Sequence, residues 1–168
     1  MKKEGRRLRS WNRKIEKLVE RIERLKGEIG EEVEEKIKEF EKFREKGEED
    51  WFSELCFCIL TANFTAEGGN RIQKESGARG FLELSQENLA KKLKELGHRF
   101  PNTRAKYIVE ARKFYPVLKK KILSFKNGKE ARNWLLQIKG IGLKEASHFL
   151  RNVGFKDVAL IDLSLIHI

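Results

Sequence analysis

The sequence predicts an all-α fold on three observations. Apolar residues recur at three- and four-residue spacing through most of the chain. Strand-like alternation persists nowhere. The periodic segments are bounded by glycine, serine, asparagine or proline, the residues that start and stop helices. At 168 residues the chain suits one domain or two small lobes and can bury a real core.

Residues 1–29 read as a long helix with Leu8, Trp11, Ile15, Leu18, Ile22 and Leu25 as one apolar stripe. The other positions are nearly all Lys, Arg and Glu, a solvated face with i, i+4 pairs. A second helix is expected from about Glu31 to Lys46, bracketed by Gly30 and Gly47, with Val33, Ile37, Phe40 and Phe43 inward. Trp51 to Phe64 is apolar on nearly all sides and predicts a central, buried helix. The next helix starts near Thr65, a good cap residue, and fades at Ser76-Gly77. Ser85 to Leu96 reads as an amphipathic helix with Ser85 as N-cap, Leu89, Leu93 and Leu96 as its stripe, and Gly97 as its stop.

The segment His98-Arg99-Phe100-Pro101 follows. Pro101 forces Phe100 out of helical geometry. An aromatic beside an arginine on a loop suits nucleic acid, because the ring stacks and the guanidinium meets phosphate; the competing reading makes Phe100 a plug over the core. A helix from about Asn102 to Lys121 is expected, with Tyr107, Ile108 and Ala111 inward and a break or kink at Pro116. From Arg99 to Lys121 the bases Arg99, Arg104, Lys106, Arg112, Lys113, Lys119, Lys120 and Lys121 face a single acid, Glu110. That imbalance reads as part of a phosphate footprint.

The last stretch runs helix, tight turn, helix. Ala131, Trp134, Leu135 and Ile138 recur at helical spacing before Lys139-Gly140-Ile141-Gly142, and Ala146, Phe149, Leu150 and Val153 after it. Ala146 lets the two helices approach, and Gly154 is placed to cap the second. A helix N-terminus after two glycines offers positive dipole and backbone N–H groups, a corner that suits a phosphate. The pattern, over about 129–153, looks like a helix-hairpin-helix, the clamp that holds DNA backbone without reading sequence.

Composition agrees. The net charge is +11 and the sequence pI about 9.7, which favours a polyanionic partner. No apolar run approaches the eighteen or so residues a membrane span needs, and no apolar h-region follows the basic N-terminus, so an intracellular protein is expected. Cys56 and Cys58, the two cysteines, stand at i, i+2. On a helix they point to different faces, so they read as small buried apolar residues rather than a disulfide or a metal pair. No metal or cofactor is expected.

Two further residues narrow the reading: Lys144 in the first turn after the hairpin, and Asp162 shortly beyond it. Together with Trp51–Ala66, Gly97-His98-Arg99-Phe100 through Arg104-Ala105, Tyr107–Arg112 and the hairpin with Lys144–Asn152, they resemble the archaeal-type 8-oxoguanine DNA glycosylase/lyase family, from about residue 10 to Asp162. The resemblance implies an all-α fold of two helical lobes with the hairpin and active site between them. It implies Lys144 as nucleophile and Asp162 as catalytic aspartate. It sets Arg99 and Phe100 near the base opposite the lesion and Gly140 and Gly142 on DNA phosphate; Lys139 beside them and Arg104 join the expected DNA contacts. The expected partner is double-stranded DNA containing an oxidised purine, met by a monomer at the nucleoid, in base-excision repair. His148, one turn after Lys144, reads as a packing or polar residue.

Two alternatives stay open at this point: a non-catalytic helix-hairpin-helix DNA-binding protein, and an endonuclease III-type glycosylase for oxidised pyrimidines, against which the Trp51–Ala66 block argues. The resembling family continues past the aspartate, whereas Leu163-Ser164-Leu165-Ile166-His167-Ile168 departs from its pattern and resembles translated adapter sequence. A C-terminally truncated fragment is therefore expected, binding DNA but excising weakly or not at all, with an apolar patch at Ala146, Phe149 and Leu150.

Overall fold

The computed structural model describes the backbone of residues 2–160 and the side chains of residues 12–160. Among them every regular element is helical: α1 (Lys2–Phe43), α2 (Glu48–Thr61), α3 (Ala66–Glu83), α4 (Gln86–Glu95), α5 (Pro101–Ala111), a 3-10 turn (Arg112–Phe114), α6 (Leu118–Leu123), α7 (Gly128–Leu135) and α8 (Leu143–Asn152). The chain divides into two units, residues 1–39 and 40–168.

The first unit is part of α1 alone. The two helices expected over residues 1–46 are one, running through Gly27 and Gly30 to Phe43. Glycine weakens a helix interior by roughly 1 kcal/mol relative to alanine but does not by itself break it. No proline interrupts the segment. Exposed pairs at i, i+3 or i, i+4, Lys26 with Glu23, Lys36 with Glu39 and Arg24 with Glu28, add small support. The stripe from Ile15 to Ile37 is exposed, at 38–50% of each side chain's residue surface. Val33 and Ile37, expected to face inward, belong to it, because a unit of one helix has nothing of its own to bury them against. The side chains of Leu8 and Trp11 lie outside the described residues.

The second unit has the core. Residues 51–60 of α2 are all buried, and α2 packs against α3, α5, α6 and α8. Trp51 meets Phe149 of α8 edge to face at 6.0 Å, and Phe52 meets Tyr115 in the same way at 5.6 Å. Cys56 and Cys58 are free and fully buried, and burial pushes both thiols well up. Ala146, Phe149 and Leu150 are also fully buried. The apolar patch expected there is absent among the described residues; α2 covers it.

Caps follow the sequence. Thr65 accepts from the Gly68 N–H, Ser85 from Asn88 and Asn127 from Glu130. Two elements differ from expectation. α3 does not fade at Gly77 but kinks there, at φ +63°, and resumes to Glu83, burying Phe81. α5 stops at Ala111, five residues before Pro116. Proline removes its own N–H and crowds the carbonyl four residues back, at Arg112, so the chain tightens into a 3-10 turn before α6.

Arginines close the helix C-termini. Arg104 donates to the carbonyl of Ala62 after α2, Arg112 to Phe81 and to Leu84 at the end of α3, and Arg71 to Leu96 after α4. Each cation meets carbonyls that the helix cannot pair, at the negative end of its dipole.

Candidate DNA-binding and catalytic site

The hairpin is built by α7, residues 136–142 and α8, with Ile138 and Ile141 buried as its pins. Gly140 is fixed on two counts. Its φ is +87°, and a Cβ there would stand 2.7 Å from the Tyr107 ring and 3.4 Å from Ile59. The hairpin backbone thus lies directly on α5 and α2. Gly142 caps α8, and its N–H donates to the Glu145 carboxylate at 3.2 Å; glycine has no side chain to return the bond, so this is half of a capping box.

Lys144 sits exposed in the first turn of α8 beside Leu143, which is 59% exposed. The positive end of the α8 dipole points to the same place. One turn on, His148 packs edge to face on Phe57 at 5.5 Å. Burial, and then the charges of Arg151 and Lys144, lower its pKa from 6.5 to about 4, so the ring is neutral near pH 7. It serves as a packing residue on the face of α8 that carries Lys144.

Arg99 and Phe100 occupy the loop before α5, both exposed. Phe100 is 43% exposed, which excludes the core plug, and the Arg99 guanidinium lies 5.4 Å from its ring centre. Phe100 is the N-cap of α5 and Tyr107 lies seven residues along it, about 10 Å at 1.5 Å per residue. One helix therefore spaces the exposed Phe100 from the seat of Gly140.

Two of the expected DNA contacts are committed elsewhere. Arg104 is only 7% exposed, its guanidinium bonded to Ala62 and stacked toward the Tyr107 ring at 5.8 Å. A buried guanidinium must be hydrogen-bonded, and the end of α2 supplies the acceptor. Arg104 braces the site and offers little to a phosphate. Lys139 remains at the surface but pairs with Glu110 of α5 at 3.0 Å, which lowers the Glu110 pKa. Asp162 lies outside the described residues.

The structure also brings in residues that sequence reasoning passed over. Glu54, 7% exposed in the apolar α2, accepts from Asn152 of α8 at 2.6 Å; Arg151 donates to the same Asn152, and Gln73 of α3 reaches Ser53. This network fixes the far end of α8 while Gly140 fixes its start. A lone carboxylate in an apolar run was its signal. Tyr107, expected to face inward, is half-buried, and its ring is the seat of Gly140.

Among the described residues, no helix is long and apolar enough to cross a membrane and no group of three or more His, Cys, Asp and Glu is placed to hold a metal.

Comparison with known proteins agrees with this geometry. A family model described as 8-oxoguanine DNA glycosylase matches residues 33–168. An 8-oxoguanine DNA glycosylase/AP lyase of Methanocaldococcus jannaschii is 60% identical over 147 residues, covering 86% of this chain and 70% of the relative. That of Korarchaeum cryptofilum is 51% identical over 154 residues, covering 90% and 72%. The crystal structure of the Methanocaldococcus jannaschii enzyme in complex with a 15mer DNA containing 8-oxoguanine superposes with a TM-score of 0.84 at 57% identity, over 89% of this chain and 72% of that one. With helices throughout, the glycine hairpin leading into Lys144, and identity of this extent, the chain belongs to the 8-oxoguanine DNA glycosylase family.

Proposed function

We propose that this chain is a DNA glycosylase and AP lyase that removes 8-oxoguanine from double-stranded DNA. The observation that carries the reading is Lys144, exposed at the head of α8 directly after the glycine hairpin, in a chain 60% identical to a glycosylase/AP lyase. The lesion is out of reach inside the duplex, so the nucleotide must be extruded. Gly140 and Gly142 bring backbone close to phosphate, and the exposed Phe100 and Arg99 address the base left opposite.

The Lys144 amine attacks C1′ as the bond to the base breaks. Positive charge grows on the sugar, and the Asp162 carboxylate stabilises it. The proton released by the amine passes to the departing base, the C1′–O4′ bond opens to a Schiff base as O4′ takes a proton from water, and loss of the C2′ proton to water expels the 3′ phosphate by β-elimination. On this reading the protein works inside the cell, at the nucleoid, where its substrate lies.

Borohydride reduction tests the chemistry, since only a Schiff base is trapped as a covalent complex. Wild type on an 8-oxoguanine duplex should cross-link and nick. Lys144→Gln should abolish both and leave duplex affinity within about twofold, because it removes the amine and keeps a polar side chain. A trapped complex from the variant would assign the nucleophile to another amine. Absence of both lesion-specific nicking and trapping in the wild type would leave a DNA-binding protein without catalysis.

A further inference from the structure

His98 is 4% exposed and makes two hydrogen bonds with backbone groups, one at each ring nitrogen. The Phe100 N–H donates to its Nδ1 at 3.0 Å, and its Nε2 lies 2.9 Å from the Leu60 carbonyl in the last turn of α2. The first bond fixes the proton count, for a nitrogen that accepts carries no hydrogen. The proton therefore sits on Nε2 and is donated to Leu60, a carbonyl near a helix end where such groups lack an internal partner.

The ring is also held from its face. Phe64 lies over it with ring centres 4.3 Å apart. Phe64 is itself seated by Gly68, where a Cβ would come within 2.4 Å of the phenyl ring. Arg104 ties the same end of α2 through Ala62. The loop bearing the exposed Arg99 and Phe100 is thus fastened to α2 at its base, and the fastening acts on the backbone N–H of Phe100 itself.

We propose that His98 is the positioning residue for Phe100, holding the Arg99–Phe100 pair in register to discriminate the base opposite the lesion. The proposal rests on the glycosylase reading above. An imidazole suits the task because it carries an acceptor and a donor on opposite sides of one rigid ring. Asparagine keeps an oxygen near the Nδ1 position and does not reach Leu60. Glutamine reaches toward Leu60 with its amide and leaves the Phe100 N–H unmet.

The test compares wild type, His98→Asn and His98→Gln by amide hydrogen exchange at Phe100, by melting temperature, and by affinity for duplexes carrying 8-oxoguanine opposite each of the four bases. In the wild type the Phe100 amide should be protected. In His98→Gln it should exchange faster and the ratio of affinities among opposing bases should fall roughly fivefold, the scale of one lost hydrogen bond. His98→Asn should melt lower yet keep that ratio within about twofold. A freely exchanging Phe100 amide in the wild type overturns the proposal whether or not the variants fold. Equal ratios in Gln and wild type, or equal losses in Gln and Asn, overturn it while lesion-specific nicking by the wild type leaves the enzymatic reading standing. A wild type with no such nicking takes down both.

Discussion

Two glycine-marked stretches behave in opposite ways. α1 runs through Gly27 and Gly30 as if they were ordinary positions, whereas the chain turns sharply at Gly140 and Gly142. The residue type is the same; the surroundings differ. A Cβ on Gly27 or Gly30 would meet nothing within 4 Å, while one on Gly140 would strike Tyr107. Glycine permits a turn, and tertiary contact decides whether the turn is taken. Where another ring occupies the space of the missing side chain, the glycine is part of the packing.

The largest expected effect breaks the hairpin. Gly140→Ala should cost about 2–4 kcal/mol, combining a disfavoured positive φ with overpacking against Tyr107. Urea unfolding followed at the tryptophans measures it, and duplex affinity should fall in parallel. A neutral substitution would mean that the Tyr107 seat is soft and the comparison misplaced.

Acidification separates the same two regions next. His148 titrates at about 4 in the folded protein against 6.5 ordinarily, and burial lowers the His98 pKa as well. The unfolded chain therefore takes up these protons first. Stability is retained above pH 6.5 and lost as pH falls from there toward about 4. α1 contains no histidine. Over that interval, melting of the unit at residues 40–168 should shift downward with pH in wild type, and the shift should shrink in His148→Phe. An unchanged slope in that variant would assign the loss to other groups.

The smallest effect sharpens the contrast from the other side. Gly30→Ala should stabilise α1 by about 0.5–1 kcal/mol, since the site is already helical and has room. Helical circular dichroism should rise, with duplex affinity unchanged. A loss of helix would show that Gly30 serves a bend which the open surroundings do not reveal.

Much of the fold was legible because local chemistry and tertiary packing agreed. The buried α2 announced itself by apolar residues on every side, and α4 by Ser85 and its leucine spacing. The hairpin was legible from its paired glycines between two apolar stripes. Where the local signal was ambiguous, the reading failed in a definable way. Gly30 looked like a boundary because glycine is one when something fills its space, and nothing in the sequence says whether something does. Arg104 looked like a phosphate contact because its neighbours are basic; its burial depends on the carbonyl of Ala62, forty-two residues earlier. His98 stands directly before Arg99 and Phe100, the two residues assigned to DNA, and had no role of its own in that reading, since its partners are backbone groups that any sequence supplies.

The arginines at the helix ends bear on how the protein meets a polyelectrolyte. Releasing a condensed counterion requires a cation at the phosphate, and each such contact steepens the dependence of log affinity on log salt by roughly 0.9 for duplex DNA. Arg71 and Arg104 each give one donor, and Arg112 two, to carbonyls of their own chain, and Lys92 and Lys119 give one each to Glu75 and Lys46. Their charge still adds to the long-range field that draws DNA in. The donors held by these carbonyls are not among those that displace ions on docking. Capture at a distance and grip at contact are therefore set by different subsets of the same basic residues, and the salt slope counts only the second.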